Sequence, residues 1–149
     1  MKVAVACSAG GHLTEVLQLE GVFRQREHFF VTFRREDSKE LAKRERVYFI
    51  IDPKRNPLKL MKNLFQSVWV LLKERPSVIL TTGAGVVIPF CYLAKLARAK
   101  IIYIESFCRV REPSFTGKLL YPIADLFFVQ WEDMLEKYGK KAAYEGGVF

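Results

Sequence analysis

Short apolar runs alternate with amphipathic stretches along the whole chain. Val3 to Cys7 are unbroken apolar residues, so Lys2–Cys7 predicts a buried strand, closed by turn residues 8–11. Leu13, Val16, Leu17 and then Val22 or Phe23 recur at helical spacing and predict a helix from about 12 to 26. Residues 28–33 predict a second strand, Asp37 or Ser38 is placed to cap a short helix ending near Lys43, and 47–51 predict a third strand. Asn56-Pro57 joins a capping residue to proline at the first helical position, and Pro76 ends the helix that follows. On that helix Leu58, Met61, Leu64, Phe65, Val68, Leu71 and Leu72 keep helical spacing, opposite Lys59, Lys62, Gln66 and Lys73. Strands at 78–82, 101–105 and 126–130 alternate with a helix running from Gly83-Ala84-Gly85 toward Arg98, one within 113–124 and one at 131–138; Ala142–Tyr144 predicts a last strand.

Strand–helix alternation with continuous apolar strands implies a parallel sheet covered on both faces, a doubly wound Rossmann-like α/β fold. No repeat, low-complexity segment or long linker divides the chain, so 1–149 is expected to be one domain. Ligands in such folds bind beyond the carboxyl ends of the strands, which points to the loops after strands one, four and five.

Composition narrows the partners. Half of the 149 residues are hydrophobic and 13% are aromatic, enough for a real core. The net charge of +8 and the isoelectric point of about 9.5 call for an anionic partner: nucleic acid, a phosphorylated ligand or an acidic membrane face. No recognition helix, RNA-binding signature or zinc module accompanies the charge, which disfavours nucleic acid. Cys7, Cys91 and Cys108 match no zinc or redox spacing, and Cys7 and Cys91 read as small core residues. The longest apolar run, 86–94, contains Pro89 and stops at Lys95, well short of the roughly 20 residues of a membrane span. Met1-Lys2 enters the first strand without a signal pattern. The expected location is therefore cytoplasmic, peripheral on the inner membrane face. A basic, amphipathic helix at 57–75 reads as partly core and partly a flank beside anionic lipid.

Three loops carry candidate chemistry. Ser8-Ala9-Gly10-Gly11-His12 follows the first strand and opens a helix, where glycines let backbone amides approach an anion; a plain tight turn explains the same residues. It lacks the lysine of a Walker loop and is not GxGxxG. A neutral imidazole accepts a proton, so His12 is either a general base or a loop-stabilising hydrogen-bond partner. Thr82-Gly83-Ala84-Gly85 repeats the design after strand four, for phosphate contact or close helix–strand packing. Glu105 ends strand five ahead of Arg109 and Arg111; the arginines suit phosphate, and Glu105 is either functional or the anchor of a Glu105–Arg109 ion pair.

In order, these loops and the block Ser114-Phe115-Thr116-Gly117-Lys118 through Asp125 to Trp131 resemble the membrane-recruiting subunit family of the dolichyl-diphosphate N-acetylglucosamine transferase and its prokaryotic PssD-like relatives. That family is similar to the N-terminal half of GT-B glycosyltransferases such as MurG. The resemblance implies one acceptor-binding domain, with Ser8, Gly10, Gly11, Thr82, Gly83, Gly85 and Arg109 facing the diphosphate of a polyprenyl-linked sugar. It implies that a small separate subunit binds the UDP-sugar (UDP-GlcNAc in the family) and docks near Tyr144, Gly147, Val148 and Phe149. The expected reaction is inverting transfer in polysaccharide or N-glycan synthesis, with His12 and Glu105 as candidate catalytic residues. No metal or cofactor is expected, and no activity from this chain alone. Eukaryotic members carry an N-terminal anchor that this sequence does not match, which shifts membrane contact to the basic and amphipathic surfaces. Two other readings stand beside this one: a non-catalytic scaffold that activates a transferase, and an NADP-binding oxidoreductase suggested by Arg34-Arg35 after strand two.

Overall fold

The seven runs predicted as strands all become strands of one sheet. The computed structural model describes residues 1–149. In chain order the elements are β1 Lys2–Cys7, α1 Gly11–Leu17, α2 Glu20–Phe23, β2 Glu27–Thr32, α3 Glu36–Leu41, β3 Val47–Phe49, α4 Pro57–Glu74, β4 Val78–Gly83, α5 Ile88–Leu96, β5 Lys100–Ile104, α6 Phe115–Leu120, β6 Leu126–Val129, α7 Met134–Tyr138 and β7 Ala142–Tyr144. The seven strands pair in the order β3-β2-β1-β4-β5-β6-β7, every pair parallel. Winding reverses direction between β1 and β4, which makes that gap the switch point where the following loops diverge.

Alternation along the strands divides the core in two. Ala4, Ala6, Phe29, Val31, Ile79, Ile101 and Phe127 face α4 to α7 and pack with Val70, Phe90, Leu120 and Met134. Val3, Val5, Cys7, Phe30, Leu80 and Ile104 face α1 to α3 and pack with Leu13, Val16, Phe23 and Leu41. Burial pushes the thiol of Cys91 up to about 12 and that of Cys7 higher still, so both are inert core side chains.

Two expected boundaries shift for local reasons. The single helix over 12–26 is broken into α1 and α2, because the amides of Gln18 and Leu19 turn to carbonyls three residues back, at 3.2 and 3.0 Å. That break lets Phe23 sit edge-on to Phe30 at 5.7 Å. At α3 the cap is Arg35 rather than Asp37 or Ser38. Ser38 lies inside the first turn and its Oγ accepts from the Arg35 amide at 2.8 Å, while Asp37 reaches away to another loop.

The largest departure is α4. Its helical spacing is as expected, but the apolar stripe faces outward: Leu58, Met61, Phe65, Trp69 and Leu72 are exposed, Phe65 to 70%. The inward face carries Asn63, Ser67, Val70, Leu71 and Glu74. Each inward polar group has a partner. Asn63 Nδ2 donates to the carbonyls of Ile51 (2.8 Å) and Val86 (3.0 Å), and Ser67 Oγ donates to Asn63 Oδ1 at 3.2 Å. Glu74 accepts from Tyr48 Oη and, at 3.1 Å, from Lys2 Nζ. Burial on its own would raise the Glu74 carboxyl, but these bonds and the nearby Arg46 charge outweigh it and hold the group below its usual range. Helical period locates an apolar stripe without saying which way it points, and here satisfied polar side chains claim the inside.

Asp125 works at the opposite, amino-terminal edge of the sheet. Its carboxylate takes Lys95 Nζ at 2.6 Å, the Ile101 amide at 2.8 Å and Lys100 Nζ at 3.2 Å, tying α5 to the start of β5. Burial opposes ionisation there, yet these donors hold the carboxyl at about 2, against an ordinary 3.8.

Two predictions follow from this packing. Asn63→Leu removes the donor to the carbonyls of Ile51 and Val86 and lowers urea stability by about 1–3 kcal/mol, whereas Phe65→Ser on the outward stripe changes it by less than about 0.5 kcal/mol. A depressed folded-state carboxyl contributes stability above its unfolded value and loses it as pH falls toward the folded value. Asp125→Asn is therefore expected to lower the melting temperature at neutral pH, with the gap to wild type closing as pH falls from 3.8 toward 2.

Candidate functional site

Three loops meet over the carboxyl end of the β1/β4 gap and enclose a cavity of about 720 Å³. Gly11 and His12 come from the turn into α1, Ala84 from the loop after β4, and residues 106–109 and 114–116 from the segment between β5 and α6. Thr14, Glu15, Tyr103 and Phe149 complete the lining. These are the loops after strands one, four and five.

Two buried carboxylates hold the walls. Glu105, only 1% exposed, accepts from the amide of Ser106 (2.9 Å) and Tyr103 Oη (3.0 Å) on one oxygen. Its other oxygen accepts from the Ser114 amide at 3.0 Å and from Tyr138 Oη. Burial and the Glu105 carboxylate push both tyrosine phenols well above their ordinary range, so both remain protonated donors. Glu105 thus points away from the cavity, and the Glu105–Arg109 ion pair does not form; Arg109 is exposed at the rim. Gly117 is required beside this cluster, because a Cβ there would meet Tyr138 Oη and lie 2.6 Å from Glu105 Oε2.

The second carboxylate, Glu15, is a functional candidate that the sequence reading missed. It is 3% exposed. Its Oε1 accepts from the Phe107 amide and from Gln130 Nε2, both at 2.5 Å, and its Oε2 lies 3.9 Å from His12 Nδ1. The available signal was an acid three residues after His12, one helical turn along α1.

The glycine loops differ from the expected phosphate cradle. The Gly10 amide already donates to Asp37 Oδ2 at 2.5 Å, and the Gly83 amide donates to Thr81 Oγ1 at 2.9 Å. Thr82 Oγ1 donates to the His12 carbonyl at 3.0 Å, which joins the two loops. Of the sequence candidates, Gly11, His12 and Arg109 line the cavity; Ser8, Gly10, Thr82, Gly83 and Gly85 do not. Gly83, at φ +94, packs under Tyr103, where a Cβ would approach Tyr103 Oη to 3.1 Å. At the lip Ala84 adopts φ +87, ψ 152, a conformation that costs a non-glycine residue about 1–3 kcal/mol.

The tail folds back beside this wall. The Val148 amide donates to Gln130 Oε1 at 2.9 Å, Gly147 packs on Phe107, and the ring of Phe149 stands 5.3 Å from that of Phe107. Trp131 Nε1 donates to the Phe107 carbonyl at 2.7 Å, and Tyr144 ends β7 exposed. Beside the tail lies an apolar groove of about 520 Å³ between Leu19 and Val22 on one side and Ile102 and Phe128 on the other. No three His, Cys, Asp or Glu side chains are grouped to hold a metal ion.

Residues 54–148, from the approach to α4 into the tail, match the family model described as "Oligosaccharide biosynthesis protein Alg14 like". The chain belongs to the Alg14 family. A UDP-N-acetylglucosamine transferase subunit ALG14 from Candida albicans is 42% identical over 94 residues, covering 59% of this chain and 42% of that protein. The human subunit of the same name is 29% identical over 184 aligned residues, covering 99% of this chain and 83% of that protein. The aligned part thus spans less than half of the Candida albicans and Schizosaccharomyces pombe relatives, 42% and 37% of their lengths. In fold the chain is similar to Acinetobacter baumannii MurG, with a TM-score of 0.77 at 15% identity, covering 99% of this chain and 45% of MurG. It is also similar to UDP-GlcNAc 2-epimerase from Methanocaldococcus jannaschii, with a TM-score of 0.75 at 16% identity, covering 99% of this chain and 46% of the epimerase. The Rossmann-like α/β fold is therefore one shared by GT-B glycosyltransferases and sugar-nucleotide epimerases.

Overpacking the Glu105 cluster is expected to loosen the Alg14-family fold locally. Gly117→Ala should lower urea stability by about 1–3 kcal/mol, and Tyr138→Phe, which takes a donor from the buried Glu105 carboxylate, by about 1.5–3 kcal/mol.

Proposed function

We propose that this Alg14-family chain is the acceptor-binding subunit of a bipartite, UDP-sugar-dependent, inverting glycosyltransferase. Its acceptor is a polyprenyl-diphosphate-linked sugar, and a small separate subunit carries the donor. The names of the relatives, subunits of a UDP-N-acetylglucosamine transferase, support the class of reaction. The observation that carries the reading is the shared cavity at the switch point, where His12, Gly11 and Arg109 converge from the loops after β1 and β5.

The first turn of α1 has no side-chain cap, so amides at Gly11 and His12 are open to an anion alongside Arg109. The Gly10 and Gly83 loops shape this wall, since their own amides are taken. His12 is the general base. The acceptor hydroxyl oxygen bonds to the anomeric carbon, the bond from that carbon to the donor diphosphate breaks, UDP leaves, and the hydroxyl proton passes to His12. The donor-binding subunit docks along the tail, where Tyr144 and Phe149 are exposed beside the apolar groove.

The membrane face is α4. It follows β3 and precedes β4 in a parallel sheet, so it starts at the carboxyl edge that also carries the cavity. Its outward Leu58, Met61, Phe65, Trp69 and Leu72 are flanked by Lys59, Lys62 and Lys73, a combination that suits an anionic lipid interface. No helix is long and apolar enough to cross a membrane. A scaffold reading is favoured by one observation, the internal satisfaction of the Gly10 and Gly83 amides.

His12→Ala in the complex assembled with the donor-binding subunit is expected to cut turnover about a hundredfold while assembly, read by co-purification, is unchanged. Unaltered turnover leaves the scaffold reading standing. Sedimentation with anionic vesicles is expected to carry the wild-type chain down. The double variant Phe65→Asp, Trp69→Asp should partition at least about tenfold less.

A further inference from the structure

We propose that Glu15 is a positioning residue that orients His12, holding its ring as the Nδ1–H tautomer so that the bare Nε2 faces the cavity. This rests on the reading of His12 as the base and adds what makes it one.

The ring of His12 is 31% exposed, yet its Nδ1 is buried and has no hydrogen-bond partner. The edge that reaches the cavity is therefore the Nε2 side. The polar group nearest in kind to Nδ1 is Glu15 Oε2 at 3.9 Å, one helical turn away on α1. That separation is longer than a hydrogen bond, and catalytic hydrogen bonds of unliganded sites are often long and tighten when substrate binds. Glu15 cannot turn away to meet it elsewhere. Its Oε1 is fixed by two donors from different elements, the Phe107 amide and Gln130 Nε2, and Gln130 is itself anchored through the Glu105 carbonyl at 2.9 Å. One oxygen is thus committed to the protein frame and the other is left for histidine. The charged side chains lining the same cavity are Glu15 and, from the loop after β5, Arg109.

A carboxylate only accepts, so Nδ1 must carry the hydrogen and Nε2 the lone pair. When the acceptor hydroxyl is deprotonated, its proton moves to Nε2, and the Nδ1–H bond to Glu15 strengthens as the ring becomes cationic. Glutamine at position 15 reverses the logic. Its carbonyl oxygen serves Phe107 and Gln130, which leaves an NH₂ donor facing Nδ1. The ring then adopts the Nε2–H tautomer and has no lone pair to offer the hydroxyl.

The test reads the tautomer directly. The sequence contains two histidines, so long-range ¹H–¹⁵N imidazole spectra of the labelled chain show two patterns, and His12→Ala assigns them. Wild type is expected to show His12 as Nδ1–H, and Glu15→Gln as Nε2–H. In the complex with the donor-binding subunit, Glu15→Gln is expected to lower kcat about a hundredfold with little change in the acceptor KM. A wild-type ring in the Nε2–H form, or the same tautomer in both proteins, overturns the proposal. Should Glu15→Gln fail to fold, the wild-type spectrum alone decides. Full activity in His12→Ala would remove the base reading while the tautomer result still judges Glu15, so the two failures are distinguishable.

Discussion

A buried carboxylate left without donors costs several kcal/mol, and the two buried carboxylates at the carboxyl edge of this sheet are both supplied with them. Glu105 is satisfied by the amides of Ser106 and Ser114, the two ends of a segment with no regular structure. Glu15 takes the Phe107 amide between them. The segment is therefore held at three backbone amides by side chains from β5's end and α1, and Arg109 is presented from a wall that needs no helix or strand of its own. Gly117, Tyr103 and Tyr138 make sense as residues that leave room for, or donate to, the Glu105 cluster.

The same requirement explains why α4 is turned as it is. Buried polar groups must be paired, and Asn63, Ser67 and Glu74 have found partners in the residues before α4, in the turn after β4 and in β1 and β3. With the inward positions so assigned, Leu58, Met61, Phe65 and Leu72 have only the outside left. A contiguous apolar stripe of that kind on a basic protein marks an interaction surface rather than a core defect.

Fold class was readable because strand and helix periods differ and alternate cleanly; every predicted strand exists, including the short Ala142–Tyr144. The break between α1 and α2 was not, because it is made by the Gln18 and Leu19 amides turning to carbonyls three residues back, which the apolar spacing does not mark. Among the site residues, Gly11, His12 and Arg109 could be placed from loop position, since a parallel sheet sends all such loops to one edge. The occupation of the Gly10 amide by Asp37 could not, because it requires a side chain 27 positions away. Glu15 was hidden for another reason: it lies off the face marked by Leu13, Val16 and Leu17, where an acid reads as solvent-facing, and it is buried only by the donors on Oε1 and the His12 ring beside Oε2.

The layout also bears on the proposed division of a transferase between two subunits. In a parallel sheet the start of α4, the cavity and the loops that line it all belong to one edge, so under the proposed function an acceptor anchored in lipid against α4 would present its head group to His12 and Arg109. Phe149 and Gly147 lean on Phe107, in the same wall that Glu15 and Trp131 fix. A subunit docked on the tail therefore presses on the residues that shape the cavity rather than on a remote surface. Under the proposed function, bringing the donor and rigidifying the base become one event, which gives a split enzyme a physical reason to act only when assembled.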